Sequence, residues 1–263
     1  LVGWPFHLWR LAHNIHHKYT NNARKDIAWE PYTEEVLSRQ PAFFRYTYVL
    51  VRSNIFLFWT GGFFHILEQF IKFAKGKRFA KENRLEIWRS MAFTSLIFGG
   101  YIALTASWGL FGFIAGFLIP ICRFYFWLTT FTMLHHLNPE KPFLSEMDWR
   151  KYSGATQLLG TINVRYGRYT DLLTHNIAWH VPHHVSVAIP HYHLKGANQA
   201  LKQAYPAFIN EEIFSWQYLR SILHNCQTIH SEDDLRWKKF AKVKYGSLNS
   251  RSLSEISKPE NIA

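Results

Sequence analysis

The chain has 263 residues, and its 30 Lys and Arg residues against 18 Asp and Glu residues give a formal net charge of +12 at pH 7. Phe, Trp and Tyr make up 17% of the chain, an aromatic content that excludes an intrinsically disordered protein. The two cysteines, Cys122 and Cys226, exclude a disulfide framework and a thiolate zinc cluster. The basic charge lies beside a long apolar stretch, which favours a membrane over a nucleic acid as the partner.

The first functional element in chain order is a histidine group with the spacing HxxHH, formed by His13, His16 and His17. Positions i, i+3 and i+4 of a helix lie on one face, so the three imidazoles can point to a common centre. Neutral imidazole is a good ligand for iron, zinc, copper or nickel. The group therefore predicts a helix that contributes metal ligands.

Residues 43–67 are aromatic and apolar, but Arg45 and Arg52 interrupt the stretch, and Gly61-Gly62 are expected to break its middle. We expect this segment to lie in the membrane interface or to enter and leave the bilayer, with Trp and Tyr at the level of the headgroups. It is not counted as a spanning helix.

A membrane hairpin is predicted between Ser90 and Leu134, where Arg123 is the single formal charge in 45 residues. A hydrocarbon core of about 30 Å requires roughly 20 apolar residues as a helix, so this stretch is long enough for two crossings. The break is placed at 107–109, which gives helices near 90–107 and 110–134. The alternative is a pair of buried helices in a soluble protein, which would need an unusually large partner surface.

Basic residues flank the hairpin on both sides, whereas the turn between its helices has none. By the positive-inside tendency, both flanks are predicted to be cytoplasmic, or stromal in an organelle. The basic residues before the hairpin are Lys72, Lys75, Lys77, Arg78, Lys81, Arg84 and Arg89, and those after it are Lys141, Arg150 and Lys151.

Two further histidine groups follow the hairpin. His135-His136 stand just past its last apolar turn, and a second HxxHH is formed by His180, His183 and His184. If both flanks of the hairpin face the same side, the topology brings all three groups to one layer. Two groups of identical spacing in one chain are difficult to explain as ordinary core histidines.

The number of imidazoles indicates two metals, because seven or more exceed what one metal needs. The chain has no HExxH and too few cysteines for iron–sulfur or the usual structural zinc sites. Paired iron with open positions suits the activation of dioxygen beside an apolar substrate, and paired zinc or copper remains an alternative.

These motifs resemble the membrane fatty acid desaturase family, especially its acyl-lipid omega-6/omega-3 branch. The similarity covers nearly all of residues 1–200 in order. The matching segments are Trp9-Arg10, HNIHHKYTN (13–21), Asp26, AWEP (28–31), LHHLNP (134–139), EMDW (146–149), Tyr166-Gly167, HNIAWHVPHH (175–184) and IPHYH (189–193).

The resemblance implies an all-α fold, an integral, multi-pass membrane helical bundle whose cytoplasmic helical cap carries a histidine-ligated dimetal site. It implies two Fe ions, O2 as co-substrate, and a cis double bond introduced into a fatty acyl chain, here taken to be lipid-linked. Two electrons would come from an external donor such as ferredoxin or cytochrome b5. The ligands that it implies are His13, His16, His17, His136, His180, His183 and His184.

The chain departs from the family pattern in its first part. The family's first box, HxxxH, and its first helical hairpin are missing, so we expect an N-terminally truncated fragment that is inactive alone. Pro182 fits only if its helix begins near His180, where the amides of the first turn are unpaired. Residues 1–245 are predicted to form the desaturase domain, with amphipathic helices over 202–245 and a disordered tail over 246–263.

Other residues are candidates for support of the metal site. His135 and His175 are possible ligands or donors to ligands, and Asp26 and Asp171 can accept the second N–H of a ligating imidazole. His191 and His193 are interpreted as supporting residues, and the isolated histidines, His65, His224 and His230, as ordinary polar residues.

Two other functions compete with desaturation. A related diiron membrane hydroxylase or ketolase, acting on carotenoids or other lipids, would use the same metal site. A histidine-rich metal transporter would place its ligands near the bilayer midplane, whereas every clustered histidine here lies outside the apolar run. The resemblance leaves regiospecificity, chain length and headgroup open.

Overall fold

The computed structural model describes residues 3–28, 31–74, 83–140, 143, 145, 156–231 and 235–238. Its helices are α1 (Phe6–Lys18), α2 (Glu34–Ser38), α3 (Ala42–Ser53), α4 (Phe58–Ala74), α5 (Arg84–Ser107), α6 (Gly109–His136), α7 (Thr156–Leu159), α8 (Arg168–Leu173), α9 (His180–Val185), α10 (Leu194–Ala204) and α11 (Trp216–Asn225). Its strands are β1 (Asn163–Arg165), β2 (Glu211–Ile213), β3 (Thr228–Ile229) and β4 (Trp237–Lys238).

The predicted hairpin is confirmed as two helices, α5 and α6, that are long and apolar enough to cross a membrane. Gly109 begins the second helix with φ of +73°, a conformation that favours glycine. Large apolar side chains cover the outer surface of the hairpin, and Leu96 and Phe111 are 73% and 83% exposed. A surface this apolar is suited to contact with lipid.

Residues 43–67 form two helices rather than one, but the predicted position of the break is wrong. The chain bends by 119° between α3 and α4, and the side chain of Asn54 accepts a hydrogen bond from the Phe56 amide at 2.8 Å in the intervening turn. Gly61-Gly62 lie inside α4, where a Cβ at Gly62 would overlap the hydroxyl of Thr129 on α6. The glycine is needed because the two helices approach closely, not because the helix ends.

The prediction of amphipathic helices throughout 202–245 is only partly right. The end of α10 and the helix α11 fall in this range, but β2 pairs in parallel with β1, with Val164 opposite Glu212, and β3 pairs antiparallel with β4. The amide of Asn163 donates to the Asn210 carbonyl at 2.9 Å, so this backbone is satisfied by strand pairing. The fold is therefore mostly helical, with two small strand pairs added to the expected all-α architecture.

Both ends of the hairpin adjoin the histidine groups. Near the start of α5, the fully buried Ile87 packs against Leu8 of α1, and α6 ends at His136. The main apolar core lies beside this layer and joins the end of α6 to β1, α11 and β3. Its central members are Met133, Leu134, Leu137, Ile162, Val164, Leu219, Ile222, Leu223 and Ile229.

Some sequence predictions fall outside the described residues. These are the EMDW motif at 146–149, part of AWEP, residues 239–245, the tail at 246–263, and the basic residues Lys75, Lys77, Arg78, Lys81, Lys141, Arg150 and Lys151.

Candidate metal centre

The first histidine group lies on a helix, as its spacing predicts, in the C-terminal half of α1. His16 and His17 are buried, and His13 is half-buried. The hydroxyl of Thr20, directly after the helix, donates to the His16 carbonyl at 2.9 Å. The same carbonyl accepts the Tyr19 amide at 3.1 Å, so the turn after the helix pairs it twice.

The second HxxHH group lies on α9, which begins at His180 as the position of Pro182 requires. Pro182 stands in the first turn, so its missing N–H costs no helical hydrogen bond. The neighbouring amide of Val181 donates to the side-chain oxygen of Asn163 at 2.9 Å. Strand β1 therefore holds the start of the short helix that carries these histidines.

The three histidine groups converge in two sets of possible metal ligands. His13, His17 and His183 form one set, and His16, His136 and His184 form the other. Within each set the donor nitrogens all lie within 4.8 Å of one another. His180 adjoins the second set, because its Nε2 lies 2.9 Å from Nε2 of His136.

Contacts at the outer nitrogens orient two of these rings. Asp26 is 1% exposed, and its carboxylate accepts the Nδ1 hydrogen of His16 at 2.8 Å. Nδ1 of His184 lies 3.0 Å from the hydroxyl of Thr20 and 3.3 Å from Oε1 of Gln157. A partner at Nδ1 leaves Nε2 facing the centre, which is the usual arrangement of histidine ligands in proteins.

Burial keeps five imidazoles of the two HxxHH groups neutral, the form that binds cations. Burial, and then neighbouring imidazoles, lower the pKa of His13 to about 3, that of His17 to about 2 and that of His183 to about 4. The same causes hold the pKa values of His180 and His184 well below the ordinary value. Near pH 7 these rings are therefore neutral, with a lone pair available.

The donor set fits a pair of metal ions. In a neutral His16 ring that donates its Nδ1 hydrogen to Asp26, Nε2 carries a lone pair, and this nitrogen lies 3.2 Å from Nε2 of His136. Nε2 of His184 is buried and has no hydrogen-bond partner among the described residues. Imidazole nitrogens arranged in this way suit iron, zinc or copper, and cations between them would satisfy these lone pairs.

His135 lies beside the two sets without belonging to either. The side chain is fully buried, and both of its ring nitrogens contact groups of the protein. Its position agrees with support of the neighbouring ring of His180, whose centroid lies 4.4 Å away.

The structure does not bring Asp171 and His175 into the cluster. His175 is exposed and has a left-handed φ of 53°, and its ring lies 4.8 Å from that of His191. Oδ1 of Asp171 has no hydrogen-bond partner among the described residues. Of the two carboxylates predicted to accept a hydrogen bond from a ligating imidazole, Asp26 contacts His16, whereas no such contact is found for Asp171 among the described residues.

The other histidines lie outside the two sets. His65 is near Gln69 and Glu68 on α4, and His193 directly precedes α10. His224 lines a groove of about 570 Å³ between α11 and the turn that joins α3 to α4, and His230 is exposed.

Sequence reasoning missed two polar residues that support the cluster, the half-buried Gln157 and the buried Asn21. Gln157 donates to the His17 carbonyl at 2.7 Å and also contacts His184. Asn21 donates to the His136 carbonyl at 3.0 Å from a left-handed φ of 55°, which asparagine tolerates better than most residues. Neither residue has ligand spacing, so no periodic pattern could have identified them.

The chain thus combines a helical hairpin that could cross a membrane with a group of histidines at its end that could hold metal ions. Residues 1–216 match the sequence profile of the family described as fatty acid desaturase. This match covers most of the chain and all three histidine groups, and the chain belongs to the fatty acid desaturase family.

Relatives with described activities support this membership. The chain is 36% identical over 237 residues to an "sn-1 oleoyl-lipid 12-desaturase" of Synechocystis sp., a match that covers 89% of this chain and 65% of the relative. It is 31% identical over 234 residues to an "Omega-6 fatty acid desaturase, chloroplastic" of Spinacia oleracea, covering 88% of this chain and 50% of that protein. The chain thus spans between half and two thirds of the length of these two relatives.

Proposed function

We propose that this protein is an O2-dependent acyl-lipid desaturase that introduces a cis double bond into a fatty acyl chain at a diiron centre. The names of the relatives point to a lipid-linked oleoyl chain, oxidised at position 12, as the substrate. The observation that carries the proposal is the convergence of seven imidazoles, five of them buried, from three chain segments at the end of an apolar hairpin.

The chain's own residues would hold the two irons in separate sets. His13, His17 and His183 would hold one, and the second set with His180 would hold the other. When bound, the iron pair would supply the dioxygen chemistry that removes two hydrogens from an unactivated carbon chain. Asp26 would keep the hydrogen of His16 on Nδ1, so that Nε2 remains a ligand.

The proposal includes an orientation in the membrane. Helix α1 packs against the start of α5, and α6 ends within the cluster, so both ends of the hairpin lie on the side of the histidines. We place this side in the cytoplasm or stroma, because basic residues flank the hairpin there. The turn at Trp108 would then lie on the opposite side of the bilayer.

Single cysteines test this orientation in a variant that lacks Cys122 and Cys226. Cysteines at Arg39 and Lys202, both exposed, should react with a membrane-impermeant reagent from one side of sealed vesicles. A cysteine at the exposed Ser107 should react only from the other side. Labelling of Arg39→Cys and Lys202→Cys from opposite sides would contradict the proposed topology, in which the bent pair α3–α4 does not cross and the hairpin returns the chain to the side that it left.

Electrons would come from a separate protein. The chain carries a net charge of +12, which suits an acidic donor such as ferredoxin or cytochrome b5. Charge complementarity of this kind acts mainly on the rate of encounter, so the transfer should slow as salt increases.

The activity is tested in a host that makes oleoyl lipids but no polyunsaturated lipids. Expression of the protein from its complete gene should give a second cis double bond in the oleoyl chain, identified by gas chromatography with mass spectrometry. The His224→Ala variant should give the same product, because His224 is exposed and outside the cluster. A hydroxylated or keto product, or an oxygenated carotenoid with unchanged fatty acids, would favour a hydroxylase or ketolase instead.

A further inference from the structure

The ring of His180 lacks the hydrogen bond that orients other rings of the cluster. Nδ1 of His16 is fixed by Asp26, and Nδ1 of His184 by Thr20. Nδ1 of His180 is buried and has no hydrogen-bond partner among the described residues. Nδ1 of His17 and Nδ1 of His136 also lack such a partner in the described part of the chain, so ring packing is the contact that can keep Nε2 of His180 directed at the second set of ligands.

The contact behind His180 is the ring of His135. The two ring centroids are 4.4 Å apart, and the planes are inclined by 34°. His135 is fully buried and makes two hydrogen bonds to Ile162. Its Nδ1 lies 2.7 Å from the Ile162 carbonyl oxygen, and its backbone carbonyl accepts the Ile162 amide at 2.9 Å. The ring has little freedom to rotate while these bonds persist.

The hydrogen positions on His135 follow from its partners. A carbonyl oxygen only accepts, so Nδ1 carries the hydrogen and Nε2 of the neutral ring is an acceptor. The hydroxyl of Tyr166 lies 3.2 Å from this Nε2 and donates to it. Burial raises the pKa of Tyr166, which keeps the hydroxyl protonated. Both nitrogens of His135 are thus occupied, so neither is available to a metal.

Tyr166 is itself held by the fold. Its ring packs edge-on against Phe131 of α6 at 4.9 Å and lies at a tilt of 38° to the ring of Phe214 at 5.3 Å. The amide of Phe214 donates to the Arg165 carbonyl at 3.0 Å, which continues the pairing of β1 with β2. The small strand pair therefore fixes Tyr166, and through it the ring of His135.

We propose that His135, held by Tyr166 and Ile162, is a positioning residue whose ring packs behind His180 and keeps its Nε2 directed at the metal centre. The assignment rests on the proposed function only in taking His180 as a ligand. Partners that orient ligands typically contribute about 10–100-fold in metal affinity, and a packing contact without a hydrogen bond should lie near the lower end.

The test compares four variants of the full-length protein purified in detergent. His135→Leu removes both hydrogen bonds and the ring, His135→Gln can keep a donor and an acceptor, and Tyr166→Phe removes one donor. His224→Leu is the matched control on the surface. The measurements are iron content, apparent Fe(II) affinity by competition with a chelator, and the visible spectrum of the Co(II)-substituted protein.

We expect His135→Leu to lower the affinity about tenfold and to change the Co(II) spectrum while two metals per chain still bind. Tyr166→Phe should have a smaller effect in the same direction, His135→Gln should restore most of the affinity, and His224→Leu should match the wild type. Tyr166→Phe decides the question if His135→Leu fails to fold.

Wild-type affinity and an unchanged spectrum in His135→Leu and Tyr166→Phe would overturn the assignment. A fall from two metals to one in His135→Leu would also overturn it, because His135 would then be a ligand. A wild-type protein that binds both metals but desaturates no acyl chain would overturn the proposed function and leave the positioning role intact.

Discussion

Replacement of His184 by Ala should abolish formation of the second double bond while leaving the amount of protein in the membrane unchanged. His184 is 3% exposed and belongs to the second set of ligands. Its ring also lies 4.0 Å from that of His17, which belongs to the first set. The side chain thus belongs to one set and contacts a ring of the other, so its loss should disturb both.

The expected loss of activity is larger than that for any supporting residue. Residues that only orient a ligand typically cost about 10–100-fold, so loss of a ligand should lower product by more than about 100-fold. Insertion should persist, because the apolar helices α5 and α6 favour it and the backbone of α9 takes no part in crossing the bilayer.

The measurement pairs lipid analysis with metal analysis of the same preparations. Product is quantified by gas chromatography, membrane-bound protein by immunoblot, and iron per chain after purification in detergent. His224→Ala is the matched substitution, and it should keep both product and iron. Retained product in His184→Ala would remove the second HxxHH group from the metal site.

The sequence could predict the cluster because ligand spacing and hydrophobic length are both local patterns. The HxxHH spacing predicts that three imidazoles share one face of a helix. The apolar run from Ser90 to Leu134 predicts a hairpin whose two ends lie on the same side. Together these two patterns bring His16, His136 and His184 into one layer, where the structure has them within 4.8 Å.

Local patterns could not predict contacts between segments that are distant in the chain. Gly62 reads as a helix breaker in sequence, yet it is required by the hydroxyl of Thr129, 67 positions away in the chain. The strand pair β1–β2 joins two three-residue segments that are too short to show a period of two. Similarly, nothing in the spacing of Asp26 and Asp171 distinguishes the carboxylate that reaches His16 from the one that does not.

Replacement of Asp26 by Asn should have the second large effect on metal binding, because Asp26 is the carboxylate that contacts His16. The Asp26 carboxylate accepts hydrogen bonds from Nδ1 of His16 at 2.8 Å and from the amides of Asn21 and Ala28 at 2.8 and 2.9 Å. Asparagine has nearly the same shape but one acceptor oxygen fewer. Oδ1 accepts from both His16 and Ala28, and Oδ2 accepts from Asn21, so the new NH2 group opposes a donor in either orientation. With the NH2 group at the Oδ1 position, it faces Nδ1 of His16 as a donor.

His16 would then have to accept at Nδ1 and carry its hydrogen on Nε2, where the metal should bind. Loss of the lone pair at this position should lower Fe(II) affinity and desaturation by about 10–100-fold, within the range for residues that orient a metal ligand. The same exchange at the other candidate, Asp171→Asn, is the matched control and should leave both quantities near the wild-type values, since Asp171 contacts no histidine of the two described sets. Fe(II) affinity is measured by chelator competition, with thermal unfolding in detergent as the check on folding. Equal affinity in Asp26→Asn and Asp171→Asn would show that the carboxylate does not determine which nitrogen of His16 is available to the metal.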